Sequence, residues 1–492
     1  MQLRQTNKTL LPACTAGDEL GTGKLLSTIM RIWALGLALL VSVTPAAAQR
    51  QSPPTARDAA KSAVAERAVT PIDPVSLVTE FDVNGLKVLV KHRAATQTVV
   101  AGLFIKGGVR NTTPEKGGVE NLMLDTASEA TVSFPRQRMR VELSRMATTI
   151  GSGVNYDYSG LTMASTRANF DRSWEIFTDV ALRPAFTADD VERVRNRMVA
   201  SLRDDTDTPD SYLQLLQARV AYEGHPYLND PRGTADSVSR LTSADLRRYH
   251  KQVMETSRLL LVVVGDLDPQ MIRSRIAASF GKLPRGDYNP GPLQELSFAA
   301  TSVQVTERAL PTNYVQGVFT APNLAAPDIY AMRVASTILQ NRVFIEVRHK
   351  RNLSYAPDAF LWSQGANVGG IYVTSVDANQ SIRVMLDEIT RLQRESLPRE
   401  ELDSTVQHFL TRHYLGQETN AAQAGELAQY EIIGGGWRNT FVFLPRLRAV
   451  TAEDVQRVAQ KYMRNIRFVV LGDPKSVDTR LFTGQAGDKA GG

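Results

Sequence analysis

Leu241-Thr242-Ser243-Ala244-Asp245-Leu246 opens a helical pattern that leads into the apolar run Leu259-Leu260-Leu261-Val262-Val263-Val264-Gly265-Asp266. The same order of signals returns later. Val450-Thr451-Ala452-Glu453-Asp454-Val455 opens a helix that leads into Phe468-Val469-Val470-Leu471-Gly472-Asp473. The two threonines stand 209 residues apart and the two glycines 207. In each copy a Thr at the N-cap precedes an acidic residue three positions on. That reciprocal arrangement satisfies free N–H groups at a helix start, with Asp standing in for the longer Glu. Each apolar run reads as a buried strand.

The beginnings of the two halves match as well. Val99-Val100-Ala101-Gly102-Leu103-Phe104 parallels Tyr314-Val315-Gln316-Gly317-Val318-Phe319 at an offset of 215. Asn84-Gly85, set between Phe81-Asp82-Val83 and Leu86-Lys87-Val88-Leu89-Val90, predicts a hairpin, because this pair takes the positive φ angles of a type I′ turn. The expected fold class is therefore α+β: two homologous domains of about 200 residues, each an antiparallel-rich sheet packed with helices. Their expected boundaries are 74–285 and 303–480, joined over 286–302 by an exposed linker. Its Pro and Gly content, seen in Pro284-Arg285-Gly286 and Pro290-Gly291-Pro292, suits that role. Residues 481–492 read as a disordered tail.

Composition narrows the function. With 492 residues, 43% hydrophobic and 22% charged, the chain is ordinary globular protein. Its net charge of +6 is spread out, and no Lys/Arg block resembles a nucleic-acid-binding arm. One cysteine, Cys14, excludes a disulfide scaffold and a Cys-based metal site. Met30-Arg31, the apolar run Ile32–Val43 and Pro45-Ala46-Ala47-Ala48 read as a secretory signal cleaved near Ala48/Gln49, with Met30 as the expected true start. The apolar run is shorter than the roughly 20 residues of a membrane span; the alternative is a retained N-terminal anchor. Removing residues 1–48 takes four basic and two acidic residues, leaving 53 and 49, a net +4, and no thiol. Residues 49–73 read as a flexible leader. The expected location is the periplasm or the exterior, with no membrane association after cleavage.

Thr113-Pro114-Glu115 reads as a helix start, and Val119, Leu122, Met123, Thr126 and Ala130 follow with core-facing spacing. Lys106-Gly107-Gly108-Val109-Arg110 followed by Gly117-Gly118-Val119 is similar to the active-site entrance of the pitrilysin/insulinase family of zinc peptidases. Further matches follow in order: Leu182-Arg183-Pro184-Ala185-Phe186, Asp207-Thr208-Pro209, His225-Pro226-Tyr227, Gly233-Thr234 and the two Thr-x-x-Asp helices. The resemblance covers nearly all of 74–480, and processing-peptidase-like members share this size and duplication. The family's catalytic helix carries His-x-x-Glu-His, two zinc ligands on one face with a Glu that activates water. Here those positions read Asn121-Leu122-Met123-Leu124-Asp125, and Ser201 stands nearest the third, glutamate ligand. Asn121, Leu124, Asp125 and Ser201 thus mark a degenerate zinc site. No metal and no other cofactor is expected in this chain; the bland reading is a polar helix face near an interface. Of His92, His225, His250, His349, His408 and His413, only the last two approach ligand spacing, and five apart they lie on adjacent flanks.

The second half gives the opposite result. Val343-Phe344-Ile345-Glu346-Val347-Arg348-His349-Lys350-Arg351-Asn352-Leu353-Ser354-Tyr355 is very similar to the family's Arg…Leu-x-Tyr segment, with Arg and Tyr seven apart. Arg348 is expected on a last helical turn with Val343, Phe344 and Val347 inward, Asn352 in a left-handed cap, and Leu353-Ser354-Tyr355 entering a strand. The glycine-rich turn often found before this helix is absent, with Ile338-Leu339-Gln340-Asn341 in its place. In the family the pair binds substrate backbone at the scissile carbonyl, where both groups can donate hydrogen bonds to a developing oxyanion. The alternative is that Arg348 caps its helix and Tyr355 packs in the sheet. Zinc ligands lost and the pair kept is what the resemblance implies for the non-zinc subunit of a heterodimeric peptidase. Such a subunit acts on a peptide substrate opposite a zinc-bearing paralogous partner, the two chains enclosing a clam-shell chamber of which this one is half. A catalytically inactive peptide-binding or scaffold protein of the same fold is the alternative. No Gly-x-Ser-x-Gly and no P-loop supports an unrelated hydrolase.

Overall fold

The computed structural model describes residues 73–483. The signal, the leader before 73 and the chain beyond 483 lie outside the described residues. In the first half the helices are α1 (Val119–Ala127), α2 (Arg136–Arg145), α3 (Phe170–Leu182), α4 (Ala188–Asp204), α5 (Pro209–Ala221), α6 (Ala235–Ser239), α7 (Ser243–Val253) and α8 (Pro269–Ala278). In the second they are α9 (Ile329–Val343), α10 (Ala378–Arg394), α11 (Arg399–Gly416), α12 (Asn420–Ile433), α13 (Asn439–Arg448), α14 (Ala452–Tyr462) and α15 (Thr479–Phe482).

Strands β1 (Val78–Val83), β2 (Leu86–His92), β3 (Thr98–Lys106), β4 (Thr149–Val154), β5 (Tyr158–Thr166) and β6 (Leu259–Gly265) form one sheet in the order β1-β2-β6-β3-β5-β4. Strands β7 (Ser302–Glu307), β8 (Asn313–Thr320), β9 (Asp358–Leu361), β10 (Val368–Ser375) and β11 (Arg467–Gly472) form the other, β7-β11-β8-β10-β9. Dropping β1 makes the two orders identical, and the single parallel pair falls in the same place, β2 with β6 and β7 with β11. The fold is α+β, two sheets each packed with helices.

The local signals fold as read. Asn84 and Gly85 hold φ of 52° and 86° in the β1–β2 hairpin. Thr242 and Thr451 each accept from the backbone N–H of the Asp three residues on, and each Asp side chain accepts from the Thr N–H. Three readings change. Gly317 pairs with Phe468, whereas the residue paired to the matching Leu261 is Leu103, so the halves superpose here at an offset of 214. Pairing Gly102 with Gly317, as the sequence invites, would turn every β8 side chain to the wrong face, since strand side chains alternate. Ala101 and Ile105 face the first core just as Val315 and Phe319 face the second. Next, Thr113 precedes only a short 3₁₀ turn, Pro114–Lys116, and caps no backbone N–H; α1 starts at Val119. The break is Gly118, at φ +82°, where an added Cβ would stand 2.4 Å from the Arg232 carbonyl oxygen. Last, Leu481-Phe482-Thr483 are ordered: Phe482 is buried with its ring edge-on to Phe468, inside the stretch read as a disordered tail.

The halves exchange helices. α5 lays Leu213 and Leu216 on Val469 and Leu471 of the second sheet. α12 lays Ala424, Leu427 and Ala428 on the face of the first sheet made by Leu89, Val100, Leu260 and Val262. Each sheet thus buries one face under its own helices and the other under a helix borrowed from the other half. Segment 286–301 has no regular element, and β7 begins at the last residue of the expected linker. Its prolines at 290 and 292 are exposed, but Tyr288 lies under Arg258, 3.9 Å to the ring centre, and Phe298 is buried. It is anchored chain rather than a free linker. No described helix is long and apolar enough to cross a membrane.

Candidate functional site

α1 packs between edge strand β4 and α4. Leu124 is fully buried in the first core, so the general-base position faces hydrocarbon. Asp125 accepts a 2.5 Å hydrogen bond from Ser152 of β4. Burial pushes its carboxyl above the ordinary value, against that bond and the charge of Arg197. Asn121 is half-buried one turn earlier, and Ser201 is exposed on α4. Asn121 and Asp125 share one face of α1, Glu129 lies in the turn just beyond it, and 193, 197 and 201 share one face of α4. Arg193 and Arg197 both reach Glu129, at 3.2 and 3.7 Å. The set is one amide, one hydroxyl and one carboxylate already engaged, with a guanidinium as the local cation. It does not fit zinc, which takes three or four His, Cys or carboxylate ligands. Among the described residues no three His, Cys, Asp or Glu side chains converge as a metal site.

At the other site α9 runs unbroken through Ile338–Asn341 and widens into a π-helical segment, Phe344–Lys350. π segments place residues outside α spacing and are frequent at functional sites. Val343 and Val347 are buried as expected, while Phe344 is half-buried beneath Arg348, 4.9 Å away. Asn352, at φ 51°, makes the left-handed cap. Tyr355 does not enter a strand. Ser354 Oγ accepts from the Ala356 N–H at 3.2 Å, Pro357 has no N–H to give a ladder, and β9 begins at Asp358. Tyr355 is left 79% exposed, with the Arg348 guanidinium stacked 3.9 Å from its ring centre. The nearby carboxylate, Glu346, is taken by Lys350 and Arg351 at 2.6 and 2.5 Å. No described carboxylate pairs with Arg348, whose guanidinium rests on the exposed Tyr355 ring. Sheet packing of Tyr355 is thereby excluded.

The histidines hold structure. His225 accepts from the Tyr227 N–H at 3.1 Å and meets the Gln294 carbonyl at 3.0 Å; His250 meets the Ala181 carbonyl at 2.8 Å; His413 stacks on Phe443. Sequence reasoning missed the arginines around Glu129, although Arg193 and Arg197 stand at i and i+4 and Arg136 and Arg140 repeat that spacing.

A duplicated α+β peptidase fold whose metal helix has lost its ligands, and whose second half displays an unpaired Arg/Tyr donor set, defines a zinc-peptidase-like chain. Family models agree: "Insulinase (Peptidase family M16)" matches residues 87–230 and "Peptidase M16 inactive domain" matches 240–409. This chain belongs to the insulinase, or M16, peptidase family. An uncharacterized zinc protease of Streptomyces coelicolor is 22% identical over 77% of this chain and 85% of its own. Mitochondrial-processing peptidase subunit beta of Lentinula edodes is 22% identical over 77% and 86%. Bovine cytochrome b-c1 complex subunit 1 is 23% identical over 54% and 55%. In fold, a protease from Helicobacter pylori superposes with a TM-score of 0.75 at 18% identity, covering 80% of this chain and 99% of that one.

Proposed function

We propose that this chain is the non-zinc-binding subunit of a heterodimeric periplasmic zinc metallopeptidase. It contributes substrate binding and oxyanion stabilisation through Arg348 and Tyr355 to a paralogous partner that carries the zinc. The observation that carries the reading is the stacked pair itself, an exposed phenol and a guanidinium with no carboxylate of its own. The stack orients the two groups, and the donors they present to solvent, aimed at a carbonyl whose oxygen gains charge, stabilise the transition state more than the ground state. Tyr355 donates its O–H and Arg348 a fork N–H, and the ring stack holds both in orientation. The open side of β4, beside the degenerate metal site, offers backbone groups to an extended peptide. Two such chains closing face to face make the chamber that one chain leaves half open.

The mature chain alone is expected to cleave no peptide and, by elemental analysis after dialysis against zinc, to hold far less than one zinc per chain. About one tightly held zinc would overturn the reading. Export is part of the proposal and rests on the signal-like segment 30–48: N-terminal sequencing of the native protein should begin at or near Gln49, and recovery of Met1 or Met30 would contradict it. The similarity of half the chain to a subunit of a respiratory complex favours one second reading, a scaffold of the same fold with no role in hydrolysis.

A further inference from the structure

Four arginines from two helices converge on one buried carboxylate. Around Glu129, 9% exposed, stand Arg136 Nε at 3.0 Å, Arg193 Nη2 at 3.2 Å, Arg197 Nη1 at 3.7 Å and Arg140 Nη2 at 3.9 Å. Only Arg193 is well aligned for a hydrogen bond, and it also bonds Asp190. Each guanidinium carries five donors, whereas a carboxylate offers about four lone-pair directions. Arg197 and Arg140 lie beyond hydrogen-bond range of Glu129, with side chains 60% and 61% exposed. Four guanidinium groups share Glu129, Asp190 and the neighbouring Asp125, and Arg197 and Arg140, open to solvent, are left able to take a further anion. Arg138, between them in sequence, turns away to Glu142 at 2.8 Å, so the convergence is set by helix phase rather than by a basic run.

The cluster adjoins the peptide-accepting edge. Arg197 lies on α4, which packs against α1, and Asp125 of α1 is bonded to Ser152 in the middle of β4. A strand added to β4 would run beside α1, the helix on which the helix of Arg197 packs. We infer that Arg197 and Arg140, backed by Arg136 and Arg193 around Glu129, select acidic peptide segments laid along β4. The inference rests on the reading of that edge as the peptide site and adds the substrate class. A free inorganic anion would be drawn by the same charge but gains nothing from the strand edge.

Fluorescence anisotropy on the full mature chain tests it, with three labelled decapeptides of equal length: Glu-rich, Gln-rich and Lys-rich. The Glu-rich peptide should bind about three- to tenfold more tightly than the Gln-rich one at low salt, the sum of two exposed charge contacts. Raising salt to about 0.5 M should shrink the difference, as screening requires. R140Q/R197Q should abolish it, and R138Q, on the same helix but turned away, should not. Equal binding of all three peptides would overturn charge selection while leaving the edge reading standing. No binding of any peptide would overturn both. Glu-rich binding that R140Q/R197Q leaves unchanged, or that excess phosphate displaces completely from the wild type, would overturn the assignment to this cluster and edge.

Discussion

In complex reconstituted with a zinc-bearing partner, Tyr355→Phe or Arg348→Ala lowers kcat by about 10²–10³ while the heterodimer still assembles, as expected for loss of one oxyanion donor. Tyr355→Phe removes only the hydroxyl, and with Tyr355 79% exposed and outside the strands, no hydrogen bond among the described residues depends on that group. Arg348→Ala removes the fork and the stack together, 3.9 Å from one ring and 4.9 Å from another, so KM should rise as well as kcat fall. Asn121→Ala is the contrast: half-buried on a helix without metal ligands, it should leave turnover unchanged. Turnover is measured on complexes whose assembly sizing has verified. Full activity in both assembled mutants would favour the scaffold reading.

Glu426→Gln stabilises the chain at pH 8 by up to roughly 3 kcal/mol and changes it little near pH 4. Glu426 sits on α12, the borrowed helix, where burial pushes its carboxyl from an ordinary 4.5 up to about 7. The Gln417 amide, 2.5 Å away, and the charges of Lys91 and Arg333 oppose that rise without cancelling it. Because the folded value is raised, the unfolded chain ionises first as pH climbs. The stability held below about pH 4.5 is lost through pH 7, and ionisation penalises the fold above that. Glutamine stays neutral throughout, so the penalty disappears. His413, held low by burial and by Lys91, titrates in the opposite sense, and comparing mutant with wild type at each pH removes its contribution. Urea midpoints at pH 4, 6 and 8 check it; an equal shift at all three would show that Glu426 is not the group responsible.

What the sequence determined by itself was most of what depends on neighbours a few residues away, Thr113 excepted, where the chain breaks at Gly118 before the helix starts. Thr242 with Asp245, Thr451 with Asp454, Asn84-Gly85 and Asn352 are caps and turns whose partners lie within a turn of chain, and each formed as read. The duplication followed, because helix and strand periods repeat in order. The missing ligands at Asn121, Leu124, Asp125 and Ser201 are facts of residue type, legible without coordinates. Tertiary structure decided the rest. Periodicity fixes which residues share a strand face but not which residue lies opposite, and the 214-residue offset of β8 was chosen by its pairing with β11, some 150 residues on. The exchange of α5 and α12 has no local signal, since an apolar helix face does not record which sheet will cover it. The π segment widens the helix that carries Arg348, and the stack of Arg348 on Tyr355 is a contact no spacing rule of an α-helix anticipates. The arginines of α2 and α4 carried no signal until packing brought both helices to Glu129, because charge becomes a site only where separate elements focus it on one point.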